Sequence, residues 1–259
     1  MILQDKVAII YGVGAIGAAV GRTFAAEGAQ VFLAGRSPAK LAQAAQDIPG
    51  ANTAAVDAFD QAAVFAHADA VAAKAGRIDI VINAVGVPHV QGAPLAELTL
   101  DEFMTPITAH AKTNFITAQA VSRHMTAQRS GVILTLSTPG ARLAGPGFLG
   151  HGVANAGVEA FSRLLAAELG PSGVRVVCIR PHAISDAVEY SHTGDVFTKV
   201  ADTQGTTVDA VLASFAAGTL LNRLPTLADV ANYAAFTASD RAGILTGTIG
   251  NLTAGALVD

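Results

Sequence analysis

The stretch "VAIIYGVGAIGAAVGRTFAAEGAQVFLAGR", residues 7–36, reads as strand, turn, helix and strand in one pass. Its first five residues are apolar without alternation, as in a strand buried on both faces. The turn holds Gly12-x-Gly14-x-x-Gly17. Glycines at that spacing allow a tight turn and bring backbone amides toward a pyrophosphate at a helix N-terminus. The next residues, with Ile16 among them, pack as an Ala-rich amphipathic helix, and "QVFLA" returns as a second buried strand. This unit predicts the first βαβ of a doubly wound sheet, with a dinucleotide site at its turn. A glycine set that only shapes a turn is the alternative. The second strand ends in Gly35-Arg36, and no acid occupies 33–36. An acid there would hold the ribose hydroxyls of NAD, whereas an Arg suits a 2′-phosphate. The reading therefore favours NADP(H) over NAD(H), with Arg36 as its contact, against a solvated Arg opening the next helix.

The same alternation continues along the chain. Further apolar runs lie at 52–56, 78–83, 131–137, 174–179 and 247–253, giving about seven strands. Between them fall helical patterns at 15–27, 60–75, 99–128, 151–169 and 227–238. Repeated β–α alternation predicts an α/β fold, a Rossmann-like doubly wound parallel sheet with helices on both faces. No linker, repeat or low-complexity tract divides residues 1–259, so one domain is expected. Residues 182–225 read as one long irregular segment, richer in Thr, Asp and Ser. A long excursion in a compact domain is expected to be functional, here a lid over the substrate.

Composition narrows the function classes. Hydrophobic residues make up 51% of the 259 and charged residues 14%, enough for a large core and too apolar for disorder. The net charge of -4 and the lack of any Lys/Arg run argue against nucleic acid or an anionic membrane as partner. No segment has the roughly 18 uncharged apolar residues of a membrane span. Asp5 and Lys6 precede the first apolar run, unlike a signal peptide, so a cytoplasmic protein is expected. The single cysteine, Cys178 in "VRVVCIRP", is expected as a buried strand residue.

Several pieces together resemble the short-chain dehydrogenase/reductase family over nearly the whole length. They are the glycine loop, Asp57 after the third strand, "NAVG" at 83–86, "LAAELGPSGVRVVCIRP" at 165–181 and "LPTLADVANYAAFTASDRAGILTG" at 224–247. The resemblance implies that Asp57 contacts adenine, that Asn83, Ala84 and Gly86 support the cofactor pocket, and that Pro181 lies beside the nicotinamide. It also implies a homo-oligomer, a dimer or tetramer, built in part on the last helix and strand, and a small-molecule substrate.

The chain departs from the family pattern at the residues that carry the reaction. The loop "YGVGAIG" is one residue shorter than usual, with Tyr11 for a Thr. The family uses Asn, Ser, Tyr and Lys. Anchoring on "GVEAFSRLLAAELG" places His151 at the Tyr and Asn155 at the Lys. Thirteen residues upstream, at the Ser, stands Thr138, with Ser137 beside it. Anchoring on "AQAVSRHM" places His110 at the Asn, and His182 replaces the Gly after Pro181. None of Tyr11, Tyr190 and Tyr233 aligns with the absent Tyr, and Tyr233 is expected in the core.

The altered set has a chemical logic. A phenol titrates near 10 and needs a Lys⁺ to bring it down, whereas an imidazole starts near 6.5. A Lys⁺ beside it would oppose the imidazolium that must donate. His151 is therefore expected as acid, Thr138 as polarising hydroxyl, Asn155 on the ribose and His110 on a proton path, with His182 completing a histidine cluster. Imidazole is shorter than phenol, so the substrate must sit deeper. The segments carrying these histidines are too scattered for a metal site, and none is expected. His67, His89, His124 and His192 read as surface or satisfied residues. His192, with Tyr190 and Asp186, lies on the lid and within reach of a substrate, and Arg142 is a candidate for an anionic group. Three functions compete: an NAD(P)(H)-dependent oxidoreductase acting on a carbonyl, imine or polarised C=C; a nonredox dehydratase, isomerase or cyclase on the same fold; and a catalytically silent nucleotide-binding protein.

Overall fold

The computed structural model describes residues 1–188 and 192–258. Seven strands form one parallel sheet in the order β3-β2-β1-β4-β5-β6-β7. They are β1 (Val7–Tyr11), β2 (Gln30–Gly35), β3 (Asn52–Ala55), β4 (Ile80–Asn83), β5 (Gly131–Leu136), β6 (Val174–Pro181) and β7 (Thr248–Leu252). All seven expected strands are present.

Each inner strand feeds two cores, because successive side chains point to opposite faces. Ala8 and Ile10 of β1 share one core with Val20 and Phe24 of α1 (Ala15–Ala26), Leu41 of α2 (Pro38–Gln46) and Val230 of α8 (Leu227–Ala238). Ile9 and Tyr11 share the other with Val64 of α3 (Gln61–Ala75), Val121 of α4 (Leu100–Gln128) and Ala166 of α5 (Leu149–Leu169). This double burial explains why the strands read as apolar runs.

The expectation of an irregular 182–225 is corrected. The segment holds α6 (His192–Gln204) and α7 (Val208–Ala217). Thr207 caps α7 by accepting from the Ala210 amide, and Val196, Phe197 and Ala201 bury one face of α6. The polar residues that suggested a loop lie on the outer faces and at the cap. Tyr190 lies outside the described residues, as does the side chain of His192. Asp186 does not serve a lid: its Oδ1 accepts from the Leu227 amide at 2.8 Å and so caps α8. Among the described residues, no helix is long and apolar enough to cross a membrane.

The strand order reverses between β1 and β4. The loops leaving their C-terminal ends diverge there, which opens the crevice where such sheets bind ligands. The candidate residues lie at the ends of strands, as Asn83 and Pro181 do, or on the loops and helices that follow them.

Candidate functional site

The glycine turn after β1 is shaped by packing at two positions and by openness at the third. Gly12 has φ +95°, and an added Cβ would lie 2.4 Å from the Ala84 carbonyl oxygen. An added Cβ on Gly17 would lie 1.9 Å from the Gly12 oxygen. Gly14 meets nothing within 4 Å, is exposed and stands at the N-cap of α1. No side chain caps that helix and no acid sits in its first turn. Its free amides and positive dipole end therefore face open space, which suits a phosphate. Ile16 is half-buried and packs α1 onto the core. The hydroxyl of Tyr11 turns away, into the core, where it bonds His67 Nδ1 at 3.1 Å and the Val64 carbonyl. Burial pushes that phenol up and His67 down to about 4.

Around this cradle lie the other expected cofactor residues. Arg36 is exposed just after β2. Asp57 is exposed after β3, with Oδ1 accepting the Phe59 amide at 3.0 Å in an Asx turn. Asn83 is buried: its Oδ1 accepts the Val85 amide at 3.1 Å and its Nδ2 reaches Thr117 Oγ1 at 3.4 Å. Those bonds fix the course of Ala84 and Gly86, and Gly86 meets open space. Pro181 closes β6, buried.

Thr138 follows β5, and a short turn over 139–141 leads on toward α5, which carries His151. The Thr138 Oγ1 and His151 Nε2 atoms are 2.9 Å apart. Asn155, one turn later and buried, donates from Nδ2 to the His151 carbonyl at 2.8 Å. The same amide nitrogen lies 3.4 Å from His151 Nδ1. A carbonyl only accepts, so this Asn155 nitrogen is the NH₂ group and Nδ1 faces a donor. The proton of the neutral ring therefore sits on Nε2 and is donated to Thr138 Oγ1. The Thr138 hydroxyl hydrogen is left to serve another acceptor. Asn155 is thus turned onto His151, and its amide hydrogens are not presented to a ribose.

Burial holds His151 at about 3, helped by His89 and His110. Burial and His89 likewise lower His110 to about 4. The expectation of a histidine that titrates near its ordinary value is corrected: at neutral pH His151 is uncharged, and its imidazolium is not available in quantity. Asn114, one turn after His110 on α4, donates to the His110 carbonyl at 2.9 Å and leaves its buried Oδ1 without a partner.

A further histidine joins the cluster. The ring packed on His151 belongs to His89, stacked at 4.5 Å between centroids and 27° between planes. His182 packs its ring 5.6 Å from Phe215 of α7, and burial lowers it. Nothing in the local sequence marks His89 as different from the other histidines. Its one signal is position, six residues beyond Asn83, on the loop leaving the open end of β4. Ser137, adjacent to Thr138, points the other way along the strand and donates to Glu159 Oε1 at 3.0 Å. Glu159 also pairs with the buried Arg180, through Nε at 2.6 Å and Nη2 at 3.0 Å. Arg142 is exposed and, with Glu159, Arg163, Arg180 and Ile249, lines a separate cleft of about 490 Å³ without the histidines. Cys178 is a buried free thiol, as expected.

Comparison with known proteins agrees with the architecture. Residues 12–256 match the family model described as enoyl-(acyl carrier protein) reductase. The chain is 35% identical to the D-threitol dehydrogenase of Mycolicibacterium smegmatis over 187 residues, 70% of this chain and 71% of that one. It is 29% identical to the 3-oxoacyl-(acyl carrier protein) reductase of Escherichia coli K12 over 250 residues, 95% of each. The crystal structure of levodione reductase superposes with a TM-score of 0.86 at 25% identity, covering 95% of each chain.

Proposed function

Because the chain belongs to the short-chain dehydrogenase/reductase family, we propose that it is an NADP(H)-dependent reductase of a carbonyl, imine or polarised C=C, with an active site built on Thr138 and His151. The observation that carries this reading is the Thr138 hydroxyl held by His151 Nε2 at 2.9 Å, on the same sheet edge as the uncapped N-terminus of α1. The residues there fit a dinucleotide: the α1 amides and Gly14 for the pyrophosphate, Arg36 for the 2′-phosphate, Asp57 for the adenine, and Asn83, Ala84, Gly86 and Pro181 around the nicotinamide. When bound, the nicotinamide supplies hydride to the substrate carbon.

The chain itself provides hydrogen bonding in place of a charged acid. His151 donates to Thr138, and Thr138 donates to the substrate heteroatom as negative charge gathers on it. The proton that completes the product comes from solvent. Such a site suits an oxygen whose charge is spread by conjugation, as in an enolate, better than a bare alkoxide. His110 stands beside the pair as a neutral, buried group. The helices α6 and α7 form the substrate cover, with Phe215 packed on His182. Exposed Phe115, Val153 and Leu164 support a homo-oligomer, and the composition supports a cytoplasmic setting.

Oxidation of NADPH, followed by absorbance against a panel of enones, ketones and imines, tests the reading. Thr138→Val is expected to lower kcat by about 10²-fold, the cost of one preorganised donor. His151→Phe should lower it less, since it acts on the substrate through Thr138. Full turnover in both variants would sink the assignment. Turnover should also be level between pH 6 and 9, because His151 is uncharged throughout. Arg36→Ala should weaken NADPH binding about tenfold and leave NADH binding unchanged, as for one exposed charge-assisted contact. Equal effects on both nucleotides, read by fluorescence titration, would remove Arg36 from the 2′-phosphate.

A further inference from the structure

The loop after β4 brings His89 against His151 in an arrangement with little freedom. The His89 Nδ1 lies 3.1 Å from the Val87 carbonyl oxygen, which can only accept, so Nδ1 carries the hydrogen. Its Nε2 then accepts, from Gln91 Nε2 at 2.9 Å. Both ring nitrogens are engaged within the loop, so His89 offers its face to His151. Gly140 lies beside Cδ2 and Nε2 of the His151 ring, where an added Cβ would lie 2.9 Å from Cδ2, 3.3 Å from Nε2 and 3.4 Å from Thr138 Oγ1. The loop itself is tied down beyond His89. Gly92 donates its amide to the Gly147 carbonyl at 2.9 Å, and an added Cβ on Gly147 would lie 2.5 Å from the Gly92 Cα. Gly147 lies two residues before α5, so the stitch joins the segment carrying His89 to the one that leads into His151.

We infer that His89 is a positioning residue: its ring clamps the His151 imidazole by stacking on its face, with Gly140 beside Cδ2 and Nε2, which keeps Nε2 on Thr138 and sets where the substrate heteroatom must lie. The clamp also keeps water off the His151 ring. Among the described residues, the titratable groups acting on His151 are His89 from this loop and His110 from α4, beside the Thr138 hydroxyl and the Asn155 amide. This inference deepens the reductase reading, and its first readout does not depend on that reading.

The test is histidine nitrogen NMR on the full chain, wild type against His89→Ala and His89→Phe, titrated from pH 8 to 5. Wild-type His151 is expected to stay neutral, with its proton on Nε2, over the whole range. His89→Ala opens the ring to water, so its titration should climb into the window and the Nε2 tautomer should lose its preference. His89→Phe restores a flat ring without nitrogens and should behave as wild type. The kcat of the Ala variant should fall about tenfold and gain an inflection near pH 6, and the Phe variant should recover most of both. An unchanged His151 in His89→Ala overturns the inference. So does a Phe variant that titrates like Ala, since the ring face would then not be what matters. If the NMR behaves as expected and no substrate turns over, the positioning role stands and the reductase reading falls.

Discussion

Lowering the pH from 7 to 5 is expected to cost the fold about 6 kcal/mol, roughly 2 kcal/mol from each of three part-buried histidines. Folding holds His151 at about 3 and His67 and His110 at about 4. Their ordinary value in an unfolded chain is near 6.5. Below that value the unfolded chain takes up protons that the folded chain refuses, so acid favours unfolding. The stability these groups contribute is complete above about pH 7. It drains away as pH falls from 6.5 through the folded values. Burial is the first cause at all three, so salt should rescue little. The measurement is urea unfolding at pH 7 and pH 5, with the slope checked for two-state behaviour. Equal midpoints would mean that the histidines are hydrated in solution. His110→Phe should remove about a third of the pH dependence and leave the rest.

Glu159→Leu should destabilise the protein by about 3–5 kcal/mol, the cost of leaving one member of a buried ion pair behind. Arg180 is 1% exposed and Glu159 5% exposed. The Glu159 carboxylate receives Nε and Nη2 of Arg180 and the Ser137 hydroxyl. Leucine removes that carboxylate and takes two charge-assisted hydrogen bonds from a guanidinium that is 1% exposed. The pair ties the end of β5 to α5 and β6, so its loss also loosens the segment that carries Thr138. Pairing the change with Arg180→Met should recover much of the loss, because the uncompensated charge goes too. Chemical denaturation of the single and double variants decides it. A loss below about 1 kcal/mol for Glu159→Leu would place the pair in solvent, as for an ordinary surface salt bridge.

The fold was legible because its signal is local and repeated. A strand that must face two cores is apolar throughout, as β1 is, while the part-buried edge strands β3 and β7 were marked by the β–α alternation. The glycine spacing marked the nucleotide end of the sheet, and the openness at Gly14 agrees with it. The helices α6 and α7 were harder to read. They lie on the surface, bury only one narrow face and carry polar residues elsewhere, so composition alone suggested a loop. Asp186 looked available for a ligand in sequence, yet a helix 41 residues away takes its side chain as a cap. The site was legible in its addresses and not in its chemistry. Thr138, His151 and Asn155 were located correctly as neighbours. Their protonation and hydrogen-bond directions follow from contacts between segments far apart in the chain.

By itself the sequence determined the parallel α/β architecture and the glycine turn, since each depends on periodicity or spacing within a short stretch, while the resemblance to the family placed Thr138 and His151 together. Only the tertiary structure decided that His151 is neutral, that Asn155 serves the ring it was expected to stand beside, and that His89 is its stacked neighbour. The reason is physical: desolvation and ring stacking depend on what surrounds a side chain in three dimensions. His89 and His151 are 62 residues apart in the sequence and 4.5 Å apart in the fold.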